Sequence, residues 1–271
     1  MKISLALLIF TLFLISVQNA EASYIRLETA ISSETSNNTL KGSVTVRNSG
    51  NEPAYSAQLS VNFLNKVFDN EVKDILLPSE KYLLNYSFDL AKTNNGTYPL
   101  IAKMYYKDSS GYKFSTVSLN SVIVGKSLAS ELVGKVSGVN LSKEGYLIVK
   151  VRNGGKYKYN VKATLVLPQE ISSEKTIEDF SINSNEEKEL KFKIKNFSAL
   201  RDSSYAAYIL LEYDKGLDHI MDYLSTTIKI VDFEDYSKPD KLPIFLIIIL
   251  LLLLVLFFYK SRDRIKKVLR M

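Results

Sequence analysis

The sequence predicts an all-β chain of two tandem antiparallel β-sandwiches, followed by one C-terminal transmembrane α-helix. Three observations support this prediction. In residues 24–231, short segments of alternating apolar and polar residues are separated by turns rich in Asn, Gly and Ser. The order of these segments repeats about 105 residues later. Residues 244–258 are all apolar. The chain therefore divides into two β modules and a membrane anchor.

Residues 1–22 have the features of a secretory signal peptide. Lys2 supplies a positive charge, Ile3–Val17 is mostly apolar, and Ala20-Glu21-Ala22 is a small-x-small cleavage pattern. An uncleaved N-terminal anchor is the alternative. Either segment would export the residues that follow.

The first module, residues 23–126, is predicted to contain about seven short strands and no helix. Ser32–Asn38 is predicted to be a polar turn. Tyr98–Tyr106 and Lys113–Val124 are predicted to form a hairpin around Asp108-Ser109-Ser110-Gly111. The other clearly alternating segments are Tyr24–Glu28, Gly42–Arg47, Ala57–Phe63 and Tyr82–Leu90.

The second module, residues 127–231, repeats landmarks of the first in the same order. The segment Val46–Gly50 recurs as Val151–Gly155, about 105 residues later. Later in the module, Tyr205 and Tyr213 have the same spacing as Tyr98 and Tyr106. A nearly constant offset predicts two copies of one fold.

The repeated pattern V-x-V-x-N-x-G resembles the immunoglobulin-like sandwiches of the CARDB and NEW3 type. These occur in surface proteins of archaea and bacteria, so the resemblance implies an immunoglobulin-like fold and an adhesion or scaffolding role. Fold alone does not determine function. The residues that carry the resemblance are Val44, Val46, Asn48 and Gly50, with Val149, Val151, Asn153 and Gly155.

Residues 242–259 are predicted to cross a membrane once, after a charged stalk at residues 232–241. Eighteen helical residues extend about 27 Å, close to the thickness of a bilayer core. Pro243 suits the first helical turn, and Tyr259 suits the far interface. A helix buried inside a protein is the alternative.

The tail, residues 260–271, is predicted to be cytoplasmic because it holds six cations and one anion. The expected topology is that of a single-pass type I cell-membrane protein with its ectodomain outside. The tail would bind anionic lipid, and recruitment of a cytoplasmic partner is the alternative. The basic residues expected at the membrane surface are Lys260, Arg262, Arg264, Lys266, Lys267 and Arg270.

Composition argues against several function classes. The net charge is +6, but residues 24–241 hold 28 cations and 27 anions, so the ectodomain has no basic field for nucleic acid. The chain contains no Cys, which excludes disulfides, thiol catalysis and Cys-ligated metals.

We predict no catalytic, cofactor or metal site. His219 is the only histidine, and the sequence lacks G-x-S-x-G, P-loop and G-x-G-x-x-G motifs. The aspartates near His219, which are Asp214, Asp218 and Asp222, suggest a metal site, but a solvated turn is the simpler interpretation. Glu170, Glu174, Glu178 and Asp179 are interpreted as a solvated acidic loop, with a paired-carboxylate hydrolase as the alternative.

Five N-x-S/T sequons lie on the side predicted to be exported, where a host with the pathway could glycosylate them. Two of them, Asn37 and Asn95, fall in predicted turns, and two others, Asn85 and Asn196, lie in or beside predicted strands. The five candidates are Asn37, Asn85, Asn95, Asn140 and Asn196.

These features predict a non-enzymatic surface protein whose modules form an extracytoplasmic scaffold or bind a protein or envelope partner. The alternative is an accessory or ligand-binding subunit of a membrane transport, secretion or glycosylation complex. The apolar run contains no Gly, Ser or Thr, which favours a lone anchor over a helix packed within a complex.

Overall fold

A computed structural model describes residues 23–231, and these residues form an all-β fold. The predicted signal peptide, stalk, membrane helix and basic tail lie outside the described residues. Within residues 23–231, no helix is long and apolar enough to span a membrane.

The N-terminal half, residues 23–126, contains eight strands. β7 and β8 form the predicted hairpin, paired without interruption from Gly96↔Val124 to Lys107↔Lys113. The strands are β1 (Leu27–Ser36), β2 (Thr39–Asn48), β3 (Ala54–Phe63), β4 (Lys66–Asp69), β5 (Lys73–Leu76), β6 (Lys81–Asp89), β7 (Gly96–Lys107) and β8 (Lys113–Val124).

The C-terminal half contains nine strands. β16 and β17 form a second long hairpin, in register from Ser204↔Lys229 to Lys215↔Asp218. The strands are β9 (Leu132–Val136), β10 (Val139–Leu141), β11 (Glu144–Asn153), β12 (Tyr159–Val166), β13 (Ile171–Ser173), β14 (Ile177–Ile182), β15 (Glu187–Asn196), β16 (Ser204–Lys215) and β17 (Asp218–Ile230).

The bounds of the first strand and of the turn after it differ from the sequence-based prediction. β1 starts at Leu27 and continues through Ser36, so the turn predicted over Ser32–Asn38 is limited to its last residues. Asn37 and Asn38 form that turn with positive φ angles of 49° and 55°. Because β1 is an edge strand with one solvated face, polar residues do not interrupt it.

Each half encloses a hydrophobic core between two sheets. In the N-terminal half, β1, β2 and β6 form one sheet, which faces β8, β7 and β3 with the short β4 and β5. In the C-terminal half, β13, β15, β11 and β9 face β14, β12, β16 and β17. Inward residues such as Leu59, Phe63 and Leu100 in the first core, and Leu147, Ile194 and Ile209 in the second, are fully buried. Both halves are therefore sandwich-like.

The two halves are packed together, and all described residues belong to one compact unit. The predicted boundary at residue 126 falls between β8 and β9, but it does not separate two compact units. The division into two domains stays a prediction.

Candidate functional site

The two sandwich-like halves meet at a junction with its own small hydrophobic cluster. Val117 on β8 packs with Val166, Leu210 and Met221 from the second half. In the second half, Leu210 and Met221 lie on the outer face of their sheet, since the adjacent Ile209, Leu211 and Ile220 belong to the second core. Apolar residues at outward positions are buried here because each half covers the other.

Glu170 is fully buried at this junction, so the prediction of a solvated loop is wrong for this residue. The backbone N–H of Ser115 donates to one carboxylate oxygen at 2.7 Å, and the Ser115 hydroxyl donates to the other at 3.0 Å. Burial raises the pKa of Glu170, although the Ser115 hydrogen bonds oppose the shift. The carboxyl group therefore joins β8 to the loop before β13.

Two other members of the predicted acidic cluster form ion pairs at the surface. Glu174 lies 2.5 Å from Lys195, and Glu178 pairs with Lys175. Exposed pairs of this kind contribute little to stability. Asp179 lies in β14, opposite Lys162 of β12.

His219 is also at the junction and is not fully solvated as predicted. Its ring stacks on Tyr98 with centroids 4.6 Å apart, and its Nδ1 lies 2.9 Å from Asp214. Its Nε2 is buried, 3.5 Å from Glu212, without a hydrogen-bond partner among residues 23–231. Burial lowers the pKa of His219, but the Glu212 and Asp214 carboxylates outweigh it, so the pKa is raised.

Gly96 makes this contact possible. The His219 N–H donates to the Asn95 carbonyl at 2.9 Å, and His219↔Gly96 is the one pair that joins β17 to β7. A Cβ at Gly96 would lie 1.9 Å from the His219 carbonyl oxygen, and the φ angle is +146°. Only glycine fits this backbone conformation and approach.

A cleft of about 790 Å³ opens beside the junction. Its walls are residues 23–27, residues 114–118 of β8 and residues 203–206 at the start of β16. This volume is within the size range of ligand sites, and five of the residues in the lining are aromatic. Those aromatic residues are Tyr24, Tyr106, Phe114, Tyr205 and Tyr208.

Sequence reasoning missed a role for the repeated Asn. Asn48 is fully buried, donates from its Nδ2 to the carbonyls of Glu52 and Leu76, and accepts from the Gly50 N–H at 3.0 Å. Its backbone also pairs with Ser79 and Glu80. The amide thus joins the end of β2 to two neighbouring loops.

Asn153 repeats this network in the second half. It is fully buried, its Nδ2 donates to the Tyr157 and Asn183 carbonyls, and its Oδ1 accepts from Gly155 at 2.8 Å. The V-x-N-x-G pattern was the available signal, because a short polar residue before Gly at the same offset in both copies suggests a structural amide.

Most of the sequon residues are exposed. Asn37 lies in the β1–β2 turn, Asn85 in β6, Asn95 before β7 and Asn140 in β10, and all four are exposed. Asn196 is only partly exposed, and its side chain bonds both the N–H and the carbonyl of Ala199. Glycosylation stays a prediction for all five residues.

No group of three or more His, Asp or Glu side chains in residues 23–231 is arranged to hold a metal ion. The six basic tail residues, Lys260 to Arg270, lie outside the described part of the chain, and their membrane role stays a prediction.

Comparisons with known proteins identify no family. No family model and no curated protein matches the chain. The CARDB and NEW3 resemblance therefore stays a prediction.

Solved structures match the chain only weakly, as three of them illustrate. E. coli alpha-2-macroglobulin is 8% identical with a TM-score of 0.31, and the match covers 76% of this chain but only 17% of that chain. A protein of unknown function from Porphyromonas gingivalis W83 is 12% identical with a TM-score of 0.31, covering 75% of this chain and 99% of that one. Red sea bream transglutaminase is 11% identical with a TM-score of 0.27, covering 78% and 32%. Similarities this low carry no argument about function.

Proposed function

We propose that the chain is a non-enzymatic, membrane-anchored surface protein whose two immunoglobulin-like modules form a scaffold that binds a protein or envelope partner. The junction is the observation that supports this role best. Glu170 is buried against Ser115, and Val117 packs on Leu210 and Met221, so the second module is held against the first. A fixed orientation suits a scaffold.

The proposal of tandem immunoglobulin-like modules is supported by the equivalent Asn networks. Asn48 and Asn153 hold the same backbone groups at positions about 105 residues apart. We include in this proposal that both modules are of the CARDB or NEW3 type.

Membrane anchoring is supported by the sequence pattern alone: an apolar N-terminal segment, the apolar run 242–259 and the basic tail. Protease protection of the full chain in sealed native membrane vesicles tests it. We expect the C-terminal tail and residues 23–231 to be digested from opposite sides. Release of the whole chain by a high-salt or alkaline wash would overturn the anchor.

Crosslinking in the native membrane, followed by identification of the captured proteins, tests the scaffold role. We expect capture of an extracytoplasmic or envelope protein in substoichiometric amounts. Recovery in a stoichiometric membrane complex would instead support the accessory-subunit alternative. Hydrolytic activity of the purified full chain, abolished by one carboxylate substitution, would overturn the non-enzymatic proposal.

A further inference from the structure

The cleft at the junction has an unpaired strand edge as one wall. β8 bonds to β7 along one side, and no strand pairs with its other side in the described residues. Residues 114–118 of this strand line the cleft. By contrast, the corresponding strand of the second half, β17, is covered at its end by β10.

The direction of the backbone groups follows from Ser115. Its N–H donates to Glu170, which lies on the side of β8 away from β7. Because backbone groups alternate in direction along a strand, the N–H and carbonyl of Val117 point the same way. Within residues 23–231, neither group has a backbone partner outside the β7–β8 hairpin. Such groups are normally paired.

The opposite wall of the cleft also contains a strand segment, at the start of β16, that is paired on one side only. Residues 204–207 of β16 pair with β17, but the pairing of β16 with β12 begins only at Tyr208. Ser204, Tyr205 and Ala206 line the cleft. Two incompletely paired strands therefore border the same space.

The charged side chains in the rest of the cleft are Arg26, Glu52 and Asp108, so its lining has mixed charge. Arg26 lies 3.4 Å from Glu28, so its charge is partly compensated. The Asp108 carboxylate accepts N–H groups of its own turn, from Ser110 and Tyr112. The aromatic walls would accommodate apolar side chains.

We propose that this cleft binds an extended peptide segment of a partner protein, which adds as a strand to the free edge of β8. The N–H and carbonyl of Val117 would pair with the peptide backbone, and its apolar side chains would contact the aromatic wall. The inference rests on the proposed protein-binding function and names its site. An oligosaccharide could stack on the tyrosines, but it does not match the alternating donors and acceptors of a strand edge.

The test uses the full chain and a displayed library of random dodecapeptides, with selected peptides measured by fluorescence anisotropy. Ala206→Trp fills the cleft from an exposed position, and Ser204→Arg is a second exposed substitution that fills it. Ala30→Trp is the matched control, because Ala30 is an exposed strand alanine of β1 outside the cleft. Melting curves verify that all variants fold.

We expect both cleft substitutions to weaken binding by about tenfold or more, and Ala30→Trp to change it less than about twofold. Hydrogen exchange in residues 115–119 should slow when the peptide binds. Equal binding by the wild type and both cleft variants would overturn the proposal. So would failure to select any peptide, or displacement of the peptide by an oligosaccharide that protects the same residues.

These outcomes are separable from the broader proposal. If the cleft variants still capture the wild-type partner in native membranes, the cleft assignment is wrong while the scaffold function stands. If the wild type captures no extracytoplasmic partner but the cleft binds peptides, the scaffold proposal fails alone.

Discussion

At the scale of single residues, two buried asparagines, a buried glutamate and a glycine hold the backbone in place. Asn48 and Asn153 each satisfy several backbone groups that have no ladder partner. Glu170 does the same for Ser115 across the junction. Removing such a group leaves the others buried and unpaired, which costs more than the mean value of a hydrogen bond.

Asn153→Ala should therefore destabilise the protein. The backbone groups that now bond to Asn153 would stay buried without partners. We therefore expect the free energy of unfolding to fall by about 2–4 kcal/mol. Urea unfolding of the full chain measures the change. Asn160→Ala is the control, because Asn160 is exposed and its Oδ1 accepts a hydrogen bond from the Ser181 hydroxyl. A similar loss in both variants would contradict the role of the network.

Gly96→Ala should disturb the link between β7 and β17. The added methyl group would overlap the His219 carbonyl, so the strands must separate. Gly111→Ala is the matched control: its φ is +84°, but nothing lies within 4 Å of the added Cβ. We expect Gly96→Ala to lower the melting temperature clearly more than Gly111→Ala. Equal shifts would mean that backbone strain alone explains the loss.

The stability contributed by His219 should depend on pH. Its folded pKa is raised above the ordinary value of 6.5 by Glu212 and Asp214, despite burial. The contribution is therefore fully present below pH 6.5 and is lost as the pH rises through the folded pKa. We expect the stability difference between wild type and His219→Gln to decrease over that range.

Asp214→Asn provides the control for the pH effect. It removes one of the carboxylates that raise the pKa of His219, so the decrease should move to lower pH. Chemical denaturation at a series of pH values measures both variants. A difference between wild type and His219→Gln that is independent of pH would contradict the ionisation of this histidine.

At the scale of elements, β8 combines three environments in one strand. Val122 and Val124 face the first core, Val117 joins the junction, and Ser121 and Ile123 are exposed. The N–H of Ser121 is bonded to the Asn120 side chain. Strand edges that remain free are sites for pairing with other chains. The Ser121 N–H is already bonded, so we expect such pairing at the part of β8 that lines the cleft and not at Ser121.

The β7–β8 and β16–β17 hairpins were predictable from sequence, because long alternation on both sides of a Gly-containing turn determines pairing. β4 and β5 were missed because Lys66–Asp69 and Lys73–Leu76 are too short and too exposed to show alternation. The burial of Glu170 was not predictable. Its partner Ser115 is 55 residues away, and local composition carries no information about how the two halves pack.

At the scale of the whole molecule, the described residues form one compact unit with two main cores and a smaller junction cluster. Each core would support its own sandwich, whereas the junction cluster determines their orientation. Relative movement between modules is the default when the interface is small, so the orientation of the two halves should depend on the buried contacts at the junction.

Leu210→Asp should loosen the junction without unfolding either sandwich. Leu210 is 2% exposed and points out of its own core, so a carboxylate there must reach water by separating the halves. We expect a larger radius of gyration by small-angle scattering with an unchanged circular dichroism spectrum. Val133→Asp, at a residue that is 67% exposed, is the control. An unchanged radius in both variants would contradict a junction that fixes orientation.

If the proposed C-terminal anchor tethers the protein, the parallel pairing of β10 with β17 has a mechanical consequence. Val139–Leu141 runs beside Ile228–Ile230, and the Val231 N–H donates to the Leu141 carbonyl at 2.9 Å. A force on the tether would act along β17 from its C-terminal end and would apply shear to all of these hydrogen bonds at once. They would then have to break as a group, so the last strand would resist extraction instead of peeling away one bond at a time.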